Sequence, residues 1–241
     1  MNFRSECWSE KGSCAGRDHF ASQGFALLRS LFATAEMESL KEELGLLGGS
    51  ARPGQRGLLQ RSPKIAALAR DRRLLDALSR IGGSIPFAVR GILFDKTPAA
   101  NWGVGWHQDL AIAVKERADI PSFGPWSIKE GVVHAHAPVE VLEQMLTARI
   151  HLDDAGNRNG ALRVVPGSHL NGKLNEFEME NIVAAQGAFA CTAQAGDVLV
   201  MRPLILHASS PAIRPFHRRV IHLEYAVGEL PQPLEWYERL S

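Results

Sequence analysis

Beyond Pro86 the sequence changes from helical patterns to a succession of short β-type runs cut by turn residues. Residues 88–94, 106–114, 148–152, 161–165, 198–201 and 218–225 each have the length and composition of a strand in a packed sheet. Asn159-Gly160, lying between two of these runs, is the dipeptide of a two-residue hairpin. Val165-Pro166-Gly167-Ser168 sets Pro and Gly at the centre of a type II turn. Many short strands joined in this way must bury one face against another layer, which points to a β-sandwich or jelly roll.

The first third supplies helices to cover such a core. Thr34 is placed to cap a helix carrying Met37, Leu40, Leu44 and Leu47, stopped by Gly48-Gly49. Ser62-Pro63 starts a second helix, since proline at the first helical position loses only an unpaired donor. Its buried stripe is Ile65, Leu68, Leu75 and Leu78, and Gly82-Gly83 ends it. The expected layout is one domain over residues 1–241, with a helical buttress at about 20–84 and a β core at about 86–226. Residues 115–144 stand apart, because Pro121, Pro125 and Pro138 forbid a continuous element; only 139–146 can form a short helix. A connection this long inside a compact domain is often functional, so a lid is expected there, against the alternative of an inert surface insertion.

Charge and cysteine content narrow the partners. Lys and Arg total 27 and Asp and Glu 26, so no net field selects nucleic acid or an anionic membrane. Cys7, Cys14 and Cys191 are odd in number and form no CxxC pair, which excludes a disulfide framework and suits a reducing compartment. The N-terminal residues are too polar for a signal peptide. The apolar runs 198–201 and 204–206 fall far short of the roughly 20 residues of a membrane span. The expected setting is the cytoplasm.

The chemistry centres on Trp106-His107-Gln108-Asp109. On a strand, alternation turns His107 and Asp109 to one face and Gln108 to the other. An imidazole and a carboxylate side by side grip a divalent metal from one edge, and a third ligand must come from a distant strand. His207, at the end of the apolar run 204–206, is the candidate. Two histidines and one carboxylate make the facial triad of non-haem Fe(II) oxygenases. With nine histidines in the chain, an HxD alone arises by chance; the arginine pair on the next strand signal gives it weight. A dicarboxylate chelating iron at one end needs its far carboxylate held, and a planar guanidinium does this bidentately. Alternation groups Arg218 with Val220 and His222, and Arg219 with Ile221 and Leu223. If helices cover the apolar face, Arg218 looks inward.

Other residues read more plainly. His134-Ala135-His136 falls among prolines and is expected to be solvent-exposed, and His169 to be structural or at the surface. Trp102, Trp106 and Trp126 read as core, against the alternative of a pocket lining, and Arg56 as a surface residue, against the alternative of a substrate or cosubstrate contact. Arg214, His217, Arg218 and Arg219 lack the interleaved aromatics of a nucleic-acid patch.

These motifs, taken in order, resemble the phytanoyl-CoA dioxygenase family of Fe(II)- and 2-oxoglutarate-dependent oxygenases. The matching segments are Ile92-Leu93-Phe94-Asp95-Lys96, Trp106-His107-Gln108-Asp109-Leu110, the run from Asn159-Gly160 to Pro166-Gly167-Ser168-His169, and His207-x-Ser209 followed by Arg218. The resemblance covers about residues 20–225. It implies a mainly β fold, a double-stranded β-helix of the cupin type with flanking helices. It further implies His107, Asp109 and His207 as ligands of Fe(II). Arg218 would anchor the far carboxylate of 2-oxoglutarate, Ser209 would be its hydroxyl partner, and Gln108 and Thr147 would lie against the same site. The implied reaction consumes O2 and 2-oxoglutarate, releases succinate and CO2, and hydroxylates a small-molecule substrate. Asp109 argues against a halogenase, which lacks that carboxylate. Leu146 stands where mammalian-type members have Trp, and extra residues separate Asp109 from Thr147, so phytanoyl-CoA is not the implied substrate. Two competing readings are a cupin-type metalloenzyme that does not use 2-oxoglutarate and a non-catalytic binding protein.

Overall fold

The computed structural model describes residues 13–47, 54–213 and 216–240. Among these are twelve strands: β1 (Phe25–Leu28), β2 (Phe87–Lys96), β3 (Val104–His107), β4 (Ala111–Val114), β5 (Trp126–Lys129), β6 (Val132–His136), β7 (Met145–His151), β8 (Leu162–Val164), β9 (Phe189–Cys191), β10 (Val198–Met201), β11 (His207–Ser209) and β12 (Arg218–Ala226). The helices are α1 (Ser13–Gln23), α2 (Thr34–Leu46), α3 (Leu58–Arg61), α4 (Pro63–Ala69), α5 (Arg72–Gly82), α6 (Val139–Leu142) and α7 (Glu176–Gln186).

A five-stranded sheet in the order β1-β10-β7-β12-β2 and a four-stranded sheet in the order β3-β11-β8-β9 form the double-stranded β-helix, antiparallel throughout. Alternation gives each long strand of the first sheet two different faces. On the outer face, Leu146, Ala148 and Ile150 of β7 and Ile221, Leu223 and Tyr225 of β12 join Met37, Leu40, Leu44, Ile65, Leu74 and Leu78 of the helices in one apolar core. The hydroxyl of Tyr225 crosses this layer to donate to Ala69 O at 3.0 Å. Each fully buried aliphatic chain in that layer contributes about 1.5–3 kcal/mol, enough to fix which face turns outward. The inner face keeps Thr147, Arg149 and His151 of β7 and Arg218, His222 and Glu224 of β12, all buried and polar. Leu162, Val164 and Cys191 of the second sheet pack with Leu199, Met201 and Ile205.

Several elements differ from expectation for identifiable reasons. The Ser62 start holds, with Ser62 Oγ accepting from Ile65 N at 3.1 Å. The helix it begins breaks at Asp71, whose carboxylate caps α5 by accepting from Arg73 N at 2.9 Å. The break puts Leu74 on the buried stripe and leaves Leu75 partly exposed. The first helix is capped one residue early, at Ala33, whose N–H donates to Glu36 Oε2 at 2.8 Å; Gly48-Gly49 lie outside the described residues. Asn159-Gly160 does not close a two-residue hairpin, since β7 and β8 belong to different sheets. The dipeptide instead ends a longer turn, in which Asn159 Oδ1 accepts from Gly156 N at 2.6 Å.

The expected strand over 106–114 is two strands, because the chain leaves β3 after His107 and enters a third sheet, β4-β6-β5. That small sheet replaces the irregular connection expected at 115–144: β5 and β6 form a hairpin turning through Glu130 and Gly131, both at positive φ. Helix α7 has a reciprocal cap, with Glu178 N donating to Asn175 Oδ1 at 3.0 Å and Asn175 N to Glu178 Oε2 at 2.8 Å. Its Asn-x-x-Glu signature was readable in the sequence.

Candidate active site

His107 and His207 are cross-strand partners on β3 and β11, which brings their rings to 4.1 Å between centroids. Each ring donates Nδ1–H to a backbone carbonyl two residues back, His107 to Gly105 O at 2.8 Å and His207 to Ile205 O at 2.9 Å. That fixes the tautomer and leaves both Nε2 lone pairs facing the cavity. Asp109 follows just outside β3, its N–H held by Pro203 O at 2.9 Å. Its carboxylate lies 3.8 Å from His107 Nε2 and 3.5 Å from His207 Nε2. One ligand atom from each of the three residues falls within 4.8 Å of the others.

The electrostatics match that donor geometry. Burial raises the Asp109 pKa, but His207 and the other cationic or ionisable neighbours outweigh it and hold the carboxyl at about 2. Burial, against the opposing pull of Asp109, takes His207 down to about 4. At neutral pH the site therefore offers a carboxylate and a neutral His207 imidazole, the protonation states a metal ligand needs. Asp109 Oδ2 is buried without a hydrogen-bond partner. Such an atom costs about 1–3 kcal/mol, and a divalent ion bound by this triad satisfies it. The donor set fits Fe(II).

Across the cavity from the metal ligands stands the inner face of β7 and β12. Arg218, Arg149, His222 and Ser209 line the same cavity as His107, Asp109 and His207. Arg218 gives Nη1 to Gly160 O at 2.6 Å while its Nε is buried and unpartnered. Arg149 donates to His222 Nδ1 at 2.9 Å, and its Nε is likewise unpartnered. The acceptor role of His222 Nδ1 makes Nε2 the protonated nitrogen, which faces Glu224 Oε1 at 3.3 Å. Glu224 in turn pairs with Arg90 at 3.0 Å. Lys96 sits behind Ser209, fully buried, donating to Ser209 Oγ at 3.2 Å and Ser210 O at 2.6 Å. Burial, then Arg218 and Arg149, push its ammonium down to about 8. Among the described residues Arg218, Arg149 and Lys96 form no ion pair with a carboxylate, so the pocket suits an added anion.

Glycine is required at 160. Its φ is +76°, and a Cβ there would lie 2.5 Å from Ser210 O and 3.0 Å from Lys96 Nζ. The turn expected at Asn159-Gly160 thus supplies the carbonyl that orients Arg218.

The remaining sequence candidates fall into place. Arg219 leaves the cavity and forms a fork with Asp153 through Nε at 2.8 Å and Nη2 at 2.9 Å. Gln108 borders the cavity on the second side of the metal ligands, and its amide is committed to backbone: Nε2 donates to Gly172 O and Leu204 O, each at 2.7 Å, and Oε1 accepts from Leu174 N at 2.9 Å. These bonds form a clasp that fixes the backbone beside Asp109. Thr147 is buried on the inner face with its hydroxyl unpartnered, but it does not line the cavity with the triad. His169 is structural, its Nε2 donating to Ala21 O at 3.0 Å. Contrary to expectation, His134 is buried on β6 and His136 faces the metal side, because the segment folds as a hairpin. Arg56, read as a surface residue, also lines a cavity against His107 and Asp109. Trp102 lines the metal cavity rather than the core. Arg149, Lys96 and Glu224 were missed, although polar residues at every second position in Thr147-Ala148-Arg149-Ile150-His151 marked a polar inner face.

The family model of the phytanoyl-CoA dioxygenases matches residues 20–220. The chain belongs to the phytanoyl-CoA dioxygenase family. Ectoine dioxygenase of Halomonas elongata is 25% identical over 243 aligned positions, covering 84% of this chain and 66% of that protein, so the chain spans just under two thirds of that relative. Among solved structures, EctD from S. alaskensis with 2-oxoglutarate and 5-hydroxyectoine superposes with a TM-score of 0.69 at 20% identity, covering 94% of this chain and 81% of that one. HygX from Streptomyces hygroscopicus with iron bound gives 0.64 at 21% identity, covering 88% and 86%. Among the described residues, no helix is long and apolar enough to cross a membrane.

Proposed function

We propose that this family member is an Fe(II)- and 2-oxoglutarate-dependent dioxygenase that hydroxylates a C–H bond of a small-molecule substrate, consuming O2 and releasing succinate and CO2. The observation that carries the reading is the pairing of a His107–Asp109–His207 triad with a buried, outward-starved Arg218 across one cavity. His107, Asp109 and His207 hold the iron, which supplies the oxidising chemistry when bound. Arg218 receives the far carboxylate of 2-oxoglutarate, with Ser209 beside it and Lys96 supporting Ser209 from behind. Arg149 adds a second guanidinium to the same pocket. The β5–β6 hairpin contributes Lys129 and His136 to the wall on the other side of the metal ligands, the position of a lid that excludes water from the reaction. The proposal includes a cytoplasmic setting, in keeping with the free, buried Cys191, whose thiol burial pushes up to about 12.

The test is an anaerobic titration. Fe(II) added together with 2-oxoglutarate should produce a visible charge-transfer band, and admission of O2 should release succinate. Fe(II) binding without the band favours a cupin-type enzyme that does not use 2-oxoglutarate. Binding of neither leaves only the non-catalytic reading.

A further inference from the structure

The metal ligands border a second cavity, of about 270 Å3, walled by Arg56, Arg90, Lys129, His136 and Glu224. Ligand cavities usually span about 300–1,000 Å3, so this one suits a small molecule or the reacting end of a larger one. Its charged groups divide in two. Arg90 and Glu224 neutralise each other, and Glu224 is further engaged by His222. Arg56 and Lys129 each keep donor capacity to spare. Arg56 gives Nη1 to Glu130 at 2.9 Å, but its Nε is buried and has no partner. Lys129, at the end of β5, forms no ion pair among the described residues. Its ammonium lies below the usual range, first through burial and then through Arg90 and Arg56, against the opposing pull of Asp109 and Glu224.

The two groups are also held in place. Gln55, next to Arg56, exchanges two backbone hydrogen bonds of 2.9 Å with Leu93 of β2, so Arg56 is tied to the barrel. The Arg56–Glu130 pair then ties the hairpin turn that follows Lys129 to the same point. A donor from the barrel and a donor from the hairpin thus flank one cavity beside the iron ligands.

We infer, on the reading that the reaction occurs at this triad, that the primary substrate carries an oxyanion, a carboxylate or its tetrahedral equivalent, seated between Arg56 and Lys129 with the reacting C–H turned toward His107 and Asp109. A neutral substrate that offers no acceptor leaves the buried Arg56 Nε unpartnered.

The test uses acetate and sulfate as probes on the full chain, loaded with redox-inert Zn(II) and saturated with 2-oxoglutarate so that the cosubstrate pocket is filled. Each anion is titrated at constant ionic strength while the Arg56 Nε–H and Lys129 Cε resonances are followed. A saturable shift of both resonances with at least one anion is expected. Its affinity should fall at least tenfold in Lys129→Gln and in Arg56→Gln, while both variants keep their 2-oxoglutarate affinity. Shifts that stay linear for both anions, or a Lys129→Gln protein that titrates like the wild type, overturn the inference. Should 2-oxoglutarate itself fail to bind, the dioxygenase reading falls, and the same titration of the Zn(II)-loaded protein still decides the anion site.

Discussion

Replacing Lys96 with methionine should make the protein more stable and its hold on 2-oxoglutarate weaker. Lys96 is fully buried, and its ammonium falls from the usual 10.5 to about 8 through burial and then through Arg218 and Arg149. At 1.36 kcal/mol per pH unit, that fall corresponds to about 3 kcal/mol by which the charged group destabilises the fold at neutral pH. Methionine removes this penalty but leaves Ser210 O and Ser209 Oγ without their donor, which costs about 1–2 kcal/mol in return. The net gain is about 1–2 kcal/mol, or roughly 2–8 °C in Tm for a chain of this size. The sign of the pH dependence is fixed as well. The folded state releases the Lys96 proton more readily than the unfolded chain, so the wild-type penalty is full below about pH 8 and fades as pH rises toward 10.5. The stabilities of the two proteins should cross within that window, the wild type becoming the more stable by about 1–2 kcal/mol at its upper end. Loss of a positive charge behind Ser209 should meanwhile weaken 2-oxoglutarate binding by about 1–3 kcal/mol, roughly 5- to 150-fold. Thermal melts of the metal-free proteins and calorimetric titration of 2-oxoglutarate into the metal-loaded ones measure both effects. A variant that melts lower at pH 7 and binds 2-oxoglutarate as the wild type does would make Lys96 an ordinary structural residue and refute the reasoning.

Asp109→Ala removes the only anionic member of the triad, so iron stoichiometry and turnover should collapse by more than ~100-fold while circular dichroism stays native. Arg218→Lys keeps the charge but loses the planar fork and should raise the KM for 2-oxoglutarate roughly 10- to 100-fold with Fe(II) binding intact. Arg219→Lys, whose fork grips Asp153 outside the cavity, should leave that KM within about twofold; the reverse result would mean the β12 register is wrong by one residue. Gly160→Ala drives a methyl group toward Ser210 O at positive φ, and should cost about 2–4 kcal/mol in urea melts and weaken 2-oxoglutarate binding through Arg218. Limited proteolysis within residues 115–144 should slow when metal, 2-oxoglutarate and substrate are all present, and equal cutting in every state would make the hairpin an inert insertion.

What the sequence disclosed follows the reach of each physical signal. Period-two patterning is local, so most strands and the inward turn of Arg218 were readable from β12 alone: the apolar Ile221-Leu223-Tyr225 face packs on the helices. The pairing of His107 with His207 needed the motif order, because a register between strands a hundred residues apart leaves no local trace. The backbone clasp of Gln108 left no local trace for a related reason. Its partners Gly172, Leu174 and Leu204 come from segments that only tertiary folding brings near. The strands within 115–144 went unread because its prolines, taken only as forbidding a continuous element, sit at the turns and ends of a hairpin, where proline is tolerated. Arg56 and His136 were discounted with it, since their value depends on a wall that the hairpin creates.

The metal ligands His107 and His207 stand on one sheet of the sandwich, and Arg218 stands on the other. Facing sheets keep a separation of about 10 Å set by their packed side chains. On the proposed function, a diacid bound at both ends would be measured against a fixed gap, as between the jaws of a calliper. One methylene fewer and the second carboxylate stops short of the guanidinium; one more and the chain must buckle between rigid walls. Selection among diacids then comes from the thickness of the fold itself, and a chain length that fits also fastens the two sheets together.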